Sequence, residues 1–208
     1  MSEIRAVIFD IGGVLVRTEN GQPRETLGFQ FGLDRKGIEG LVFGNPASAL
    51  AEIGQADESA VWKTVQDKLG LSADQLSVFR DRFWEGDRLD MPLYEWLTML
   101  HPRYKTALLT NSWLRDPLDL FIKRYHLPEQ RVRGAFDAVI SSAAVGFRKP
   151  DPHIYQAAID ALGVQASEAV FVDDFEQNVA AARDFGLHAV HFTGADQVVL
   201  ELHSLLGV

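Results

Sequence analysis

Several short apolar runs in this 208-residue chain end in side chains able to do chemistry. Ala6–Phe9 leads into Asp10, Thr106–Leu109 into Thr110-Asn111-Ser112, Ala138–Ile140 into Ser141-Ser142, and Ala169–Val172 into Asp173-Asp174. Any one of these could be an ordinary turn, because Asp, Asn and Ser favour turns. Three carboxylates gathered in one place are harder to explain that way, since like charges that close are unstable without a cation. Asp10, Asp173 and Asp174 would bring −3, which one divalent ion and one lysine would balance. The lysine candidate is Lys149 in Gly146-Phe147-Arg148-Lys149-Pro150-Asp151-Pro152, where the Pro-Asp-Pro frame gives the backbone a defined direction; a merely solvated lysine is the alternative. The expected ion is Mg2+, because the donors are hard oxygens and no histidine pair has metal-binding spacing. His188 and His191, three apart on a predicted strand, point to opposite faces and read as surface or packing residues.

For these residues to meet, the runs that carry them must lie side by side. With a further run, Ala189–Phe192, they have strand length and β-branched composition. Helical segments follow several of them. Asp151 offers an N-cap, Pro152 a first helical position, Ile154, Ala158 and Leu162 an apolar face, and Gly163 a stop; Glu176–Phe185, closed by Gly186, reads the same way. Continuous apolar strands alternating with helices predict an α/β fold, a doubly wound parallel sheet covered on both faces. In such a sheet ligands bind beyond the carboxyl ends of the strands, so all of these polar ends are expected to converge on one crevice. Between Asp10 and Thr106 lies far more chain than the roughly dozen residues a crossover needs. There Asp57 can cap a helix presenting Val61, Trp62, Val65 and Leu69, and Ser72-Ala73-Asp74-Gln75 is a capping box before Leu76, Phe79 and Phe83. The spacing predicts a helical insert over 16–88, a core of 1–15 and 89–208, and a helix Pro92–Leu100 leading back into the sheet.

Composition narrows the classes. Hydrophobic residues at 47% and charged residues at 24% are globular values and exclude disordered, collagen-like and coiled-coil chains. With 20 Lys+Arg against 29 Asp+Glu, the net charge of −9 repels nucleic-acid phosphate and anionic lipid, so neither is expected as a partner. The absence of cysteine excludes disulfides, thiolate catalysis, thiolate zinc sites and iron–sulfur clusters. The acidic, briefly apolar start is unlike a signal peptide, and no apolar run approaches the roughly 18 residues of a membrane helix. A soluble, cytoplasmic protein is expected.

Asp10-Ile11-Gly12-Gly13-Val14 resembles the first motif of the haloacid dehalogenase-like hydrolase superfamily, Leu109-Thr110-Asn111 its second, Gly146-Phe147-Arg148-Lys149-Pro150 its third and Val172-Asp173-Asp174 its fourth. They stand in the family's order, each at a predicted strand end or helix start. The chain most resembles the branch that includes bacterial α-glucose-1-phosphate phosphatase and the N-terminal phosphatase domain of soluble epoxide hydrolases. The resemblance implies a Rossmann-like core, makes the helical insert a mobile cap, and implies a Mg2+-dependent phosphatase acting on a small phosphorylated metabolite. In that scheme Asp10 is the nucleophile, and the Gly12 carbonyl and Asp174 complete the protein ligands of Mg2+. Thr110 and Asn111 hydrogen-bond phosphoryl oxygens, and Lys149 neutralises their charge as it steadies Asp10. Asp173 stands behind them, orienting a metal-bound water or Lys149. Asn178 either buttresses the loop or is an ordinary helix-surface residue.

One position departs from the family pattern. Phosphatases of this kind usually carry Asp two residues after the nucleophile, to protonate the leaving group and then activate water; this chain has Gly12. Glu19 and a cap histidine or carboxylate are candidate substitutes. The departure also leaves open a catalytically weak protein used for phosphate binding or regulation. A 2-haloacid dehalogenase-type activity ranks below the phosphatase, because Asp173-Asp174 would repel a halocarboxylate. Trp84, Trp113, Arg17, Arg24 and Arg80 could reach the crevice, although aromatics at helical spacing usually build core and surface arginines are usually solvated.

Overall fold

The strand residues are apolar in succession and therefore need cover on both faces. In the computed structural model, which describes residues 3–207, the chain has seven strands, five of them these apolar runs: β1 (Ala6–Phe9), β2 (Val16–Thr18), β3 (Asp87–Leu89), β4 (Lys105–Thr110), β5 (Ala138–Ser141), β6 (Ala169–Asp173) and β7 (His188–His191). Five of these make one parallel sheet in the order β5-β4-β1-β6-β7, with β1 buried at every residue in its centre. The register pairs Phe9 with both Leu108 and Val172, so Asp10 comes level with Asp173, and Thr110 lies one residue beyond on the neighbouring strand. A parallel doubly wound sheet is thus present as expected.

The insert starts and ends on a ribbon the sequence did not signal. β2 and β3 pair antiparallel, Val16 opposite Leu89 and Thr18 opposite Asp87. At three residues each, and mostly polar, they are too short for a period-two pattern to register. Between them lie α1 (Gln22–Gln30), α2 (Arg35–Phe43), α3 (Pro46–Glu52), α4 (Glu58–Leu69) and α5 (Ala73–Trp84). The caps of α4 and α5 are the expected Asp57 and the Ser72/Gln75 box. The first three helices were not anticipated: α2 contains Gly37 and Gly40, which blur its helical preference, and its start is signalled only by the Asp34 cap. Leu27, Ile38, Val42, Trp62, Val65, Phe79 and Phe83 give these helices a hydrophobic core of their own.

Beyond the ribbon come α6 (Met91–Leu100), α7 (Glu129–Arg133), α8 (Ser142–Val145), α9 (Pro152–Leu162), α10 (Glu176–Phe185) and α11 (Ala195–Leu206). Strand side chains alternate between faces. Val7, Phe9, Leu108 and Val172 pack with Leu93, Tyr94 and Leu97 of α6 and Val198 and Leu202 of α11, whereas Ala6, Ile8, Leu109 and Phe171 meet Ile154, Tyr155 and Ala158 of α9 and Ala182 of α10. Among the described residues no helix is long and apolar enough to cross a membrane.

Candidate active site

Asp10 follows directly on β1 at the point where the chain leaves the sheet. Its backbone N–H still bonds Val172 at 2.9 Å, so the sheet ladder fixes its position, and its Oδ1 accepts from Ile11 N–H at 2.7 Å. Oδ2 makes no hydrogen bond among the described residues. The turn that follows is closed by Gly13 N–H to Val16 O at 2.9 Å, with Gly13 at φ +79°, a conformation glycine adopts freely.

Lys149 is the hub. Its ammonium is 2% exposed and lies 2.8 Å from Asp10 Oδ1, 2.6 Å from Asp173 Oδ2 and 3.3 Å from the Leu109 carbonyl. Burial works against that charge, but Asp10 and Asp173 outweigh it and raise the Lys149 pKa. For Asp10 burial dominates: it pushes the carboxyl up to about 7, Lys149 pulling down and Asp173 pushing up. The solvated alternative for Lys149 is excluded by these contacts.

Asp173 is fully buried with its oxygens committed: Oδ1 accepts from Phe175 N–H at 2.8 Å, and Asn178 Nδ2 donates to Oδ1 and Oδ2 at 3.0 and 3.1 Å. Asn178 is therefore a buried buttress on α10, and the helix-surface alternative falls. Asp174 is different. Its Oδ1 is buried with no hydrogen-bond partner among the described residues, and burial, with Asp173 beside it, raises its pKa.

Asp10, Asp173 and Asp174 each present a carboxylate oxygen within 4.8 Å of one another. With Lys149 they leave a formal excess of two negative charges. A divalent cation with a taste for oxygen fits that balance, and the orphaned Asp174 Oδ1 is a donor with nothing else to bind. Asp10, the Gly12 carbonyl and Asp174 are the groups that would hold it.

Other placements differ from expectation. The Asn111 side chain grips the Lys149 backbone at both ends, Nδ2 donating to Lys149 O at 3.1 Å and Oδ1 accepting from Lys149 N–H at 2.8 Å, which leaves one amide hydrogen for a ligand. Thr110, 5% exposed, makes only a long 3.5 Å contact to Asn111 O and keeps its hydroxyl available. Ser141 and Ser142, expected in the crevice, are wholly buried; they bond the backbone of Leu114 and Ser112 and so shape the loop after β4 instead. Arg24 is no solvated residue. It is 6% exposed, holds both oxygens of Asp87 at 2.9 Å, bonds Phe83 O and Glu39, and lies 4.5 Å from the Phe83 ring centroid. Arg17 pairs with Asp90 at 2.7 Å and with Glu19, so Glu19 is engaged at the ribbon. Those contacts, with Glu19 and Asn20 N–H bonded to Gly86 O, tie together the two joins of the insert.

Two neighbours of the cluster were not assigned to it from the sequence. His191 stands next to Asp173 in the sheet register, with Nε2 2.9 Å from the Asp174 carbonyl and Nδ1 3.3 Å from Glu176, and so supports the loop that carries Asp174. Strand alternation alone gave no reason to prefer it over His188. Glu52, at the end of α3, lines a cleft of about 540 Å³ between the insert and the core, whose floor is Asn111 and Ser112 and whose walls include Phe43, Trp84 and Trp113. Nothing in its local sequence marks it.

A family model described as haloacid dehalogenase-like hydrolase matches residues 4–186. Bifunctional epoxide hydrolase 2 of Sus scrofa is 34% identical over 112 residues, 54% of this chain and 20% of that protein. A Mycobacterium tuberculosis protein named as a phosphatase is 38% identical over 105 residues, 49% of this chain and 46% of the relative. The chain thus matches less than half the length of either. A HAD family enzyme of Bacteroides thetaiotaomicron, crystallised in complex with magnesium and inorganic phosphate, superposes with a TM-score of 0.69 at 21% identity, covering 90% of this chain and 93% of that one.

Proposed function

This chain belongs to the haloacid dehalogenase-like hydrolases, and on that footing we propose that it is a Mg2+-dependent phosphomonoesterase of a small phosphorylated metabolite, a sugar phosphate among the candidates, working through a phospho-aspartate at Asp10. The observation that carries this reading is the Lys149 ammonium 2.8 Å from Asp10 Oδ1, beside a second carboxylate it also holds and a third with an orphaned buried oxygen. The relative named as a phosphatase and the magnesium and phosphate complex of the Bacteroides enzyme support it.

Aspartate is a weak nucleophile in water, so the site must aim it and reduce the repulsion between two anions. Asp10 Oδ2, which nothing among the described residues holds, attacks phosphorus while Ile11 N–H and Lys149 fix Oδ1. Lys149 offsets charge on the phosphoryl oxygens, and Asp173 acts through Lys149, keeping its ammonium in place. The Thr110 hydroxyl and the spare Asn111 amide hydrogen donate to the phosphoryl group. When bound, Mg2+ would offset the charge of the attacking carboxylate and the phosphoryl oxygens together. In this reading residues 16–88 are a cap that closes over a core of 1–15 and 89–208 and excludes water.

Hydrolysis of p-nitrophenyl phosphate by the purified protein, with and without Mg2+, tests the proposal. Mg2+-dependent turnover that disappears in Asp10→Asn is expected. Turnover that survives Asp10→Asn, or metal-independent halide release from a 2-haloacid without phosphatase activity, overturns it. A panel of phosphorylated metabolites then identifies the substrate.

A further inference from the structure

Gly12 leaves the departing oxygen without the acid that the second residue after the nucleophile usually supplies. The space is vacant as well as the function: a Cβ built on Gly12 meets nothing within 4 Å. A substitute acid must therefore reach in from the cleft, whose carboxylates are Glu52, Glu58, Asp81 and Asp87. Most of these are ruled out by what they already hold. Glu58 accepts from Trp62 Nε1 and Arg80, Asp87 is gripped by Arg24, and Asp81 is exposed on α5.

Glu52 alone among them is shielded yet held by no hydrogen bond among the described residues, its one charge partner being Arg148. Its Oε2 is buried without a hydrogen-bond partner among the described residues, and its side chain is 17% exposed. That oxygen lies 2.6 Å from Arg148 Nη1 as an ion pair lacking hydrogen-bond alignment. Arg148 immediately precedes Lys149, so the contact links the end of α3 to the loop that carries the catalytic ammonium. Gly54 explains how α3 comes so close. At φ +70° it turns the chain where a Cβ would stand 2.3 Å from the Ala143 carbonyl, so only glycine lets this turn press against α8. The turn that carries Glu52 is thus docked on the core beside Asn111 and Ser112.

We propose that Glu52 is the general acid and base of the reaction, delivered from the helical insert to the leaving oxygen; the proposal rests on the phosphatase reading. As Asp10 Oδ2 bonds to phosphorus, the P–O bond to the leaving group breaks, and its electron pair takes the Glu52 proton to release a neutral alcohol. The Glu52 carboxylate then accepts a proton from the water whose oxygen bonds to phosphorus, while the P–O bond to Asp10 breaks. Inorganic phosphate leaves, and Asp10 and protonated Glu52 are restored. Burial raises the Glu52 pKa, against the pull of the Arg148 and Lys149 charges, which favours a carboxyl able to carry that proton.

The test is the rate of Asp10 phosphorylation in single turnover across phosphate esters from p-nitrophenyl to simple alkyl. The wild type is expected to depend only shallowly on leaving-group pKa. Glu52→Gln is expected to make that dependence steep, slowing alkyl esters by about 10²–10⁴-fold while p-nitrophenyl phosphate changes little. Gly12→Asp added to Glu52→Gln restores the alkyl esters, because it returns an acid to the vacant space. Arg148→Ala breaks the same ion pair yet keeps the shallow dependence. Equal losses on aryl and alkyl esters in Glu52→Gln, or a steep dependence in Arg148→Ala, would show that Glu52 is only a latch between insert and core. A wild type with no Asp10-dependent hydrolysis of any ester removes the phosphatase reading and this one with it.

Discussion

Gly13 carries no side chain where the Asp174 carboxylate lies: a Cβ there would stand 2.1 Å from Asp174 Oδ2. Gly13→Ala therefore displaces a proposed metal ligand and also forces an L residue to φ +79°, which costs roughly 1–2 kcal/mol. Mg2+ affinity measured by calorimetry should fall about as far as in Asp174→Asn, whereas Gly12→Ala, with open space around it, should bind normally. Equal affinity in Gly13→Ala and the wild type would detach Asp174 from the metal.

Lys149 sits between two buried carboxylates, and removing one partner from a buried ionic cluster costs about 3–5 kcal/mol. Lys149→Met should lose that much stability in urea unfolding without Mg2+, together with all phosphatase activity. A variant as stable as the wild type would show that the surrounding dipoles already satisfy Asp10 and Asp173.

Asn178 touches Asp173 and no reacting group, so its effect should be transmitted. Asn178→Ala should lower activity or metal affinity about 10–100-fold, as is usual for groups that orient metal-site residues. Circular dichroism of the folded variant checks that α10 remains intact. Unchanged kinetics would mean that Lys149 and Phe175 N–H hold Asp173 without help.

Arg24 and Glu39 should make the insert sensitive to acid. Burial works to raise the Glu39 carboxyl, but its bonds to Arg35 and Arg24 prevail and hold it below its ordinary 4.5. A lowered pKa gives stability that is present above pH 4.5 and lost as pH falls through the folded-state value. Hydrogen exchange in α1, α2 and α5 should therefore accelerate below that pH, and Glu39→Gln should remove the extra acceleration. Arg24→Met should speed exchange there at every pH.

If the insert closes as a cap, exchange at the β2 and β3 ribbon and at the turn around Gly54 should slow when Mg2+ and beryllium fluoride are added. An insert whose exchange is indifferent to both would be a fixed appendage.

The five strands of the parallel sheet, helices α6, α9 and α10 and the cluster of Asp10, Lys149, Asp173 and Asp174 could be read from the sequence because each signal is local, whereas α7, α8 and α11 were not anticipated. An apolar run, its polar end and a capping residue lie within a few positions of one another, and parallel pairing then brings the ends together. Folding decided everything that depends on distant partners. Arg24 and Asp87 are 63 residues apart, and no pattern around Arg24 distinguishes a buried anchor from a solvated side chain. The ribbon of β2 and β3 is too short to leave a period. Asn111 bonds a backbone 38 residues away, which its motif does not reveal. His191 and Glu52 gained their places through sheet register and through a glycine turn pressed on α8. Local preferences set which elements form, whereas the long-range packing of those elements sets which side chains are left buried, paired or free to react.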